Sequence, residues 1–295
     1  MVTAAQLPAW LKEIYPFTPK TFETGAGALS YLDEGPHSDE AVLMVHGNPT
    51  WSFFYRNVVL ALRGRMRCIV PDHLGCGLSD KPQDYDYTLG NHIKNLIALI
   101  ESLGLKKVHL IVHDWGGPIG LGTMLPLGDR LGRVVILNTA AFADTVIPAR
   151  IRFCRIPVIG EIAVRGCNAF AWPATWMAVT KPLPPPVKAG FLFPYDSWAN
   201  RIATHRFVRD IPKNTGQPND QALAKIEKAL PQLRTKAVRI LWGGEDFCFN
   251  RHYFDRWKKL LPDAKADYLD EAGHYLLEDA QEFCIREISA HLMAK

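Results

Sequence analysis

The stretch "LIVHDWGGPIG", residues 110–120, limits the fold more than any other part of this chain. Val108 to Val112 are a short, nearly continuous apolar run, the pattern of a strand buried on both faces. Gly116 and Gly117 follow almost at once and open a helical pattern, so Asp114 must stand on a sharp turn between strand and helix. A strand that feeds a helix so directly belongs in a mostly parallel sheet with helices packed on it.

The same rhythm runs on both sides of this turn. "ALSYLD", "AVLMVHG", "RCIVPD", "KVHLIV" and "RVVILN" read as strands, and "WSFFYRNVVLAL" and "TLGNHIKNLIALIESLGL" as intervening helices. It returns at "AVRILWG" and "KADYLD" and closes with a helix through "EDAQEFCIREISAHLMA". Between residues 140 and 230 strand signals nearly vanish. "RIRFCRIPVIGEIAVRGCNAFAWPATWMAV" and "NDQALAKIEKAL" suggest short helices, while "KPLPPPV" and "IPKNTGQPN" suggest turns. The expected organisation is an α/β core over residues 1–139, a helical cap over 140–230 and a second core part over 231–295. Phe170, Trp172, Trp176, Phe191, Tyr195 and Trp198 are the candidates in the cap for lining an apolar ligand site.

Composition narrows the function classes. Hydrophobic residues make up 48 % and charged residues 22 %, and the formal charge of +4 is unclustered, which excludes a nucleic-acid surface. No apolar run approaches the roughly 18 residues of a spanning helix, and the start "MVTAAQLPAWLKEIYPF" lacks the pattern of a signal peptide. Cys68, Cys76, Cys154, Cys167, Cys248 and Cys284 form no CxxC pair, so a cytoplasmic protein with free thiols is expected, without metal or other cofactor. Arg150, Arg152, Arg155 and Arg165 read as solvated charges, with docking to a partner or peripheral contact with a membrane as the alternative.

The turn at Asp114 resembles the nucleophile elbow of α/β-hydrolases, with a carboxylate where the G-x-S-x-G pattern has serine. Asp246 after "ILWGGE" and His274 in "DEAGHYLLE" complete the chain order nucleophile, acid, histidine at strand ends. An ionised carboxylate displaces a leaving group from saturated carbon and becomes an ester. In a hydrolase His274 would then activate water, with Asp246 holding the imidazole's tautomer and stabilising its charge. Backbone N–H groups of Asn48 and Trp115 are placed to stabilise an oxyanion, and the Asn48 amide and Trp115 indole to hold a departing anion. Asp72 and His73, in "VPDHLGCGLSDKP", are expected to brace the neighbouring loop.

The motifs "HGNPTWSFFYR", "PDHLGCGLSD", "HDWGG" and "AGHY" resemble those of haloalkane dehalogenases. That resemblance implies an α/β-hydrolase fold, a mostly parallel central sheet flanked by helices with an inserted helical cap. It also implies Asp114 as nucleophile, His274 as base, Asp246 as acid, and Asn48 with Trp115 as the anion pair. In one dehalogenase subgroup the acid follows the sixth strand instead; Asn138 and Thr139 stand there in this chain, which favours Asp246. Epoxide hydrolases usually carry an aromatic at the place of Asn48 and two lid tyrosines, for which Tyr195 is a single candidate; fluoroacetate dehalogenases usually have arginine at the place of Trp115. Through the cap, "IPVIGEIAVRGCNAFAW" and "KPLPPPVKAGFLFPYDSWANRIATHRFVRDIP" are similar to the olefin-forming β-lactone decarboxylases, over nearly the whole chain. This closer resemblance implies conversion of a cis-dialkyl β-lactone, a lipophilic small molecule, to a cis-alkene and carbon dioxide. It also implies a complex with a β-lactone synthetase, a thiolase and a reductase. Attack of Asp114 on the ring carbon bearing oxygen and attack on the lactone carbonyl both remain open, and haloalkane hydrolysis is the alternative activity.

Overall fold

Successive side chains of each central strand point to opposite faces of the sheet, and almost all are apolar, so one sheet has to be covered on both sides. The computed structural model describes residues 7–144, 147–212 and 218–294. Its strands are β1 (Lys20–Thr24), β2 (Gly27–Glu34), β3 (Glu40–Val45), β4 (Arg67–Pro71), β5 (Lys107–His113), β6 (Leu131–Leu137), β7 (Val238–Gly243) and β8 (Lys265–Leu269). They form one eight-stranded sheet in the order β1-β2-β4-β3-β5-β6-β7-β8. The first two pairings, β1 with β2 and β2 with β4, are antiparallel; all the others are parallel. Leu43, Val45, Leu110, Val112, Ile240 and Trp242 enter one core, and Val42, Met44, Ile111, Val135, Leu137 and Leu241 the other. This is the α/β-hydrolase fold.

The helices that precede β6 are α1 (Ala9–Ile14), α2 (Arg56–Leu62), α3 (Leu89–Ser102) and α4 (Gly116–Met124). Between β6 and β7 the described residues contain helices and no strand: α5 (Ala149–Cys154), α6 (Ile159–Glu161), α7 (Ala171–Met177), α8 (Pro185–Leu192), α9 (Ile202–Asp210) and α10 (Pro218–Ala229). This inserted segment is the helical cap. The core then resumes with α11 (Arg251–Leu260), α12 (Leu276–Asp279) and α13 (Gln281–Leu292).

Four segments depart from the sequence pattern. The segment "WSFFYRNVVLAL" splits into a 3-10 turn, Ser52–Tyr55, and α2. Strand β1, "KTFET", is a largely exposed edge with no apolar run to announce it. Helix α9 mixes polar and apolar residues yet is buried at most of its positions, because it lies between the cap and the core. "KPLPPPV" is a turn only in its first part, since Pro185 opens α8, where a missing N–H costs nothing. The turn expected at "IPKNTGQPN" falls largely on residues 213–217, outside the described residues.

The turn from β5 into α4 is the tightest junction in the fold. Asp114 has φ +52°, a left-handed conformation that few residues other than glycine adopt. A Cβ at Gly116 would run into the backbone carbonyl of Val45, and one at Gly117 into the Thr139 hydroxyl. Gly116 therefore lets α4 start directly against β3, and Gly117 lets it pass close to the segment after β6. Gly116→Ala is expected to destabilise the protein by about 2–3 kcal/mol, measured by urea unfolding. Gly90→Ala, in α3 with open space around the added carbon, should be neutral or stabilising by up to about 1 kcal/mol.

Candidate active site

Asn48, Asp114, Asp246 and His274 follow β3, β5, β7 and β8 respectively, so all four sit beyond the carboxyl ends of the parallel strands, where open α/β sheets bind ligands. Asp114 is 7 % exposed. Its Oδ1 accepts the backbone N–H of Asn48 at 2.6 Å, and the N–H of Trp115 also reaches the carboxylate. Its backbone is pinned separately: the Asp114 N–H donates to the Asn138 carbonyl at 3.1 Å, and the Asp114 carbonyl accepts the Thr139 hydroxyl. The second oxygen, Oδ2, lies 3.8 Å from His274 Nε2. One oxygen is thus cradled, and the other faces the imidazole.

His274 Nδ1 is 2.7 Å from Asp246 Oδ2. Asp246 is saturated with donors: Oδ1 accepts the N–H groups of Cys248 (2.7 Å) and Phe249 (3.0 Å), and Oδ2 also accepts Asn138 Nδ2 (2.9 Å). Asn138 exchanges two further hydrogen bonds with the backbone of Gly243, which fixes its amide. The imidazole itself packs between the rings of His113 and Phe249, at centroid distances of 4.4 and 5.7 Å. The acid expected after the sixth strand in the other arrangement is therefore replaced by an amide that clamps Asp246.

Burial raises the Asp114 carboxyl above the ordinary aspartate range; the His274 charge and the N–H groups of Asn48 and Trp115 offset only part of this. For His274, burial alone would lower the imidazole. The charge of Asp246, its hydrogen bond and the charge of Asp114 outweigh burial and hold it above its ordinary value. The two carboxylates thus favour a proton on the buried imidazole between them.

Behind the site, Asp72 and His73 brace the loop after β3, as their position in the sequence suggested. Asp72 accepts the N–H groups of Ser52 (2.6 Å) and Leu78 (2.9 Å), and burial still pushes its carboxyl up to about 6. The N–H of His73 donates to His46 Nε2, and burial pushes the His73 imidazole down to about 4, so it is neutral. Neither side chain lines the cavity.

The cavity over Asp114 has a volume of about 610 Å³, with Asn48, Trp115 and His274 also in its walls. The Asn48 side chain is turned toward the cap: its Nδ2 donates to the Thr204 carbonyl of α9 at 3.1 Å, leaving the second N–H of that amide uncommitted. Trp115 packs on Phe207 of the same helix, with centroids 5.3 Å apart. The two residues expected to hold an anion therefore both lie at the seam between core and cap.

Of the six cap aromatics expected to line the cavity, only Phe170 does so. Trp172 and Trp176 are about half exposed because α7 turns Phe170, Pro173, Ala174 and Met177 inward, which puts positions 172 and 176 on its outer face. Trp198 lies outside beneath the Arg165 guanidinium, 4.6 Å from its ring centre. Phe191 is buried in packing between Phe53 and Tyr275, and Tyr195 is buried with its hydroxyl donating to the Thr50 carbonyl. The walls come instead from Ile147, Ile151, Phe153, Val208 and Leu223, and from the core residues Phe247 and Phe249. Phe249 was findable, since it follows Asp246 by three positions; the aliphatic walls carry no local signature.

With this geometry, the chain can be compared with known proteins. It belongs to the α/β-hydrolase family, whose profile matches residues 42–286. Within that family it is 44 % identical over 292 residues to the cis-3-alkyl-4-alkyloxetan-2-one decarboxylase of Shewanella oneidensis, covering 97 % of this chain and 91 % of the relative. The decarboxylase of the same name from Xanthomonas campestris pv. campestris is 43 % identical, with 94 % and 97 % covered. Haloalkane dehalogenase 2 of Mycobacterium tuberculosis is 32 % identical, with 92 % and 93 % covered. Among solved structures, a loop variant of a haloalkane dehalogenase from Bradyrhizobium elkanii superposes with a TM-score of 0.82 at 24 % identity, over 93 % of this chain and 95 % of that one. The last of these bears on the fold alone. The β-lactone decarboxylase branch anticipated from the cap motifs is the one that the two 43–44 % relatives occupy.

Asp246→Asn preserves the shape of the acid and removes its charge. The His274 imidazole is then expected to lose its upward shift and to gain its proton only at a pH below the ordinary histidine value, since burial then dominates. A ring-proton NMR titration reads this directly; an unchanged titration would remove Asp246 from its role beside His274.

Proposed function

We propose that this protein is a β-lactone decarboxylase that converts cis-3-alkyl-4-alkyloxetan-2-ones to cis-alkenes and carbon dioxide through covalent catalysis by Asp114. The observation that carries the reading is the 43–44 % identity with two such decarboxylases across core and cap together, against 32 % with the dehalogenase. The site gives that reaction a route. Asp114 Oδ2, the oxygen outside the backbone cradle, attacks the ring carbon that bears oxygen, with inversion. The ring C–O bond breaks and its electrons leave on a carboxylate, which the free Asn48 N–H and the Trp115 indole are positioned to hold. Loss of carbon dioxide then forms the C=C bond and expels Asp114 from the opposite face. Inversion followed by anti departure preserves the cis arrangement. Neither water nor a net proton is consumed, so Asp114 is regenerated as a carboxylate beside His274.

In this reading His274 stabilises charge on Asp114 at both steps rather than activating water. The apolar walls receive the alkyl chains, each buried methylene contributing roughly 0.8 kcal/mol. An enzyme that closes a β-lactone ring has to supply the substrate, and a complex with a β-lactone synthetase, a thiolase and a reductase is part of the proposal. None of the helices among the described residues is long and apolar enough to cross a membrane.

The purified protein is expected to form alkene and carbon dioxide from a cis-dialkyl β-lactone, and only trace halide from a long 1-haloalkane. Asp114→Ala should lower alkene formation at least about a thousand-fold. His274→Gln separates the two chemistries: elimination continues at a reduced rate with no accumulated adduct, whereas ester hydrolysis would stall as an alkyl-enzyme visible by intact mass. Fast halide release with the lactone untouched would overturn the assignment.

A further inference from the structure

The cap ends in an exposed tip that none of the chemistry above uses. From Phe153 to Ile162 the chain exposes Phe153 (48 %), Ile156 (40 %), Val158 (68 %), Ile159 (55 %) and Ile162 (53 %). These belong to one surface. Gly160 packs against the end of α5, where a Cβ would strike the Cys154 carbonyl, and a Cβ at Gly166 would lie 3.7 Å from Trp198 and 3.8 Å from Ile162. Val158 also has φ +64°, a left-handed conformation that a β-branched residue strongly resists. An aliphatic side chain is thus held in an unfavourable turn at the most exposed of these positions. Neither core packing nor contact with water accounts for this.

The charges of the tip segment are mostly positive. Residues 149–166 hold Arg150, Arg152, Arg155 and Arg165 against a single acid, Glu161, which pairs with Arg165 at 2.7 Å. Arg150 and Arg152 are exposed. Trp198, half exposed under the Arg165 guanidinium, adds an aromatic ring with a cation on its face at the border of the patch. The tip also adjoins the cavity. Arg150 and Phe153 line the cavity and are solvent-exposed, so they lie at its rim.

We propose that this tip is a docking surface for an anionic lipid bilayer, which brings the rim of the cavity against the membrane. The aliphatic side chains of residues 156–162 insert among the acyl chains, Trp198 sits at headgroup level, and Arg150 and Arg152 meet lipid phosphates. Charge complementarity selects anionic lipid over neutral lipid. The short aliphatic turn between α5 and α6, with Val158 its most exposed residue, suits insertion into a fluid layer. Docking there would let a lipophilic substrate enter without crossing water.

Vesicle flotation tests this without turnover, so its outcome is independent of the lactone assignment. The full-length chain is expected to float with vesicles of phosphatidylcholine and phosphatidylglycerol, to float weakly with phosphatidylcholine alone, and to be released by high salt. Val158→Asp/Ile159→Asp should lower the bound fraction at least about ten-fold, with an unchanged thermal melt, since aspartate tolerates the left-handed turn better than valine. Arg152→Glu should weaken binding to the anionic vesicles only. Failure of the unaltered chain to float with anionic vesicles would overturn the proposal, as would equal floating of the double variant. If vesicles are ignored but a concentration-dependent oligomer dissociates in the double variant, the tip is a protein interface and the proposal is wrong.

Discussion

A carboxylate held out of water at the end of β5 sets the terms for everything around it. Asp114 is buried on a left-handed turn, and burial works against its charge. Three kinds of compensation converge on it: two backbone N–H groups on the carboxylate, the His274 imidazole beside it, and a second carboxylate that raises the proton affinity of that imidazole. Each comes from the end of a different strand, so the sheet order is what makes the site possible. Gly116 after the turn serves the same end by letting α4 start against β3, which brings the Asn48 loop within reach of Asp114.

The compensation is partial by design of the fold. If Asp114 were fully neutralised by donors it would be a poor nucleophile; only one of its oxygens is cradled, and the other is left beside His274 at 3.8 Å. The cap supplies what the core lacks. Its α9 orients the Asn48 amide through Thr204 and supports Trp115 through Phe207, while aliphatic residues on the other cap helices close the cavity over a charged floor. A dry, apolar enclosure strengthens each interaction on that floor.

The core was legible in the sequence because its elements are selected by burial on both faces. Runs such as "AVLMVH" and "KVHLIV" have no choice but the centre of a sheet, and the triad sits where those runs stop. Strand β1 was not legible, since an exposed edge leaves no apolar trace. In the cap, residue type misled. Large aromatics suggested a lining, but Trp172, Trp176 and Trp198 face outward and Phe191 and Tyr195 pack below, while Phe153, Phe170 and aliphatic residues form the cap's share of the walls. Which face of a short helix meets a cavity is decided by the neighbours it packs against. Asn138 was read as a vacancy, the absence of an acid; the structure gives it a positive task in holding Asp246.

That task has an evolutionary consequence. The acid partner of a catalytic histidine occupies the end of either of two adjacent strands in relatives of this architecture, yet here the two positions are chemically interlocked. Changing Asn138 to aspartate first would set two carboxylates against each other at hydrogen-bond distance in a dry site, whereas changing Asp246 first would strip His274 of its counter-charge. Either intermediate is poorer than both endpoints. In this chain the amide at position 138 and the acid at position 246 are thereby coupled, so that moving the acid to β6 requires both to change together.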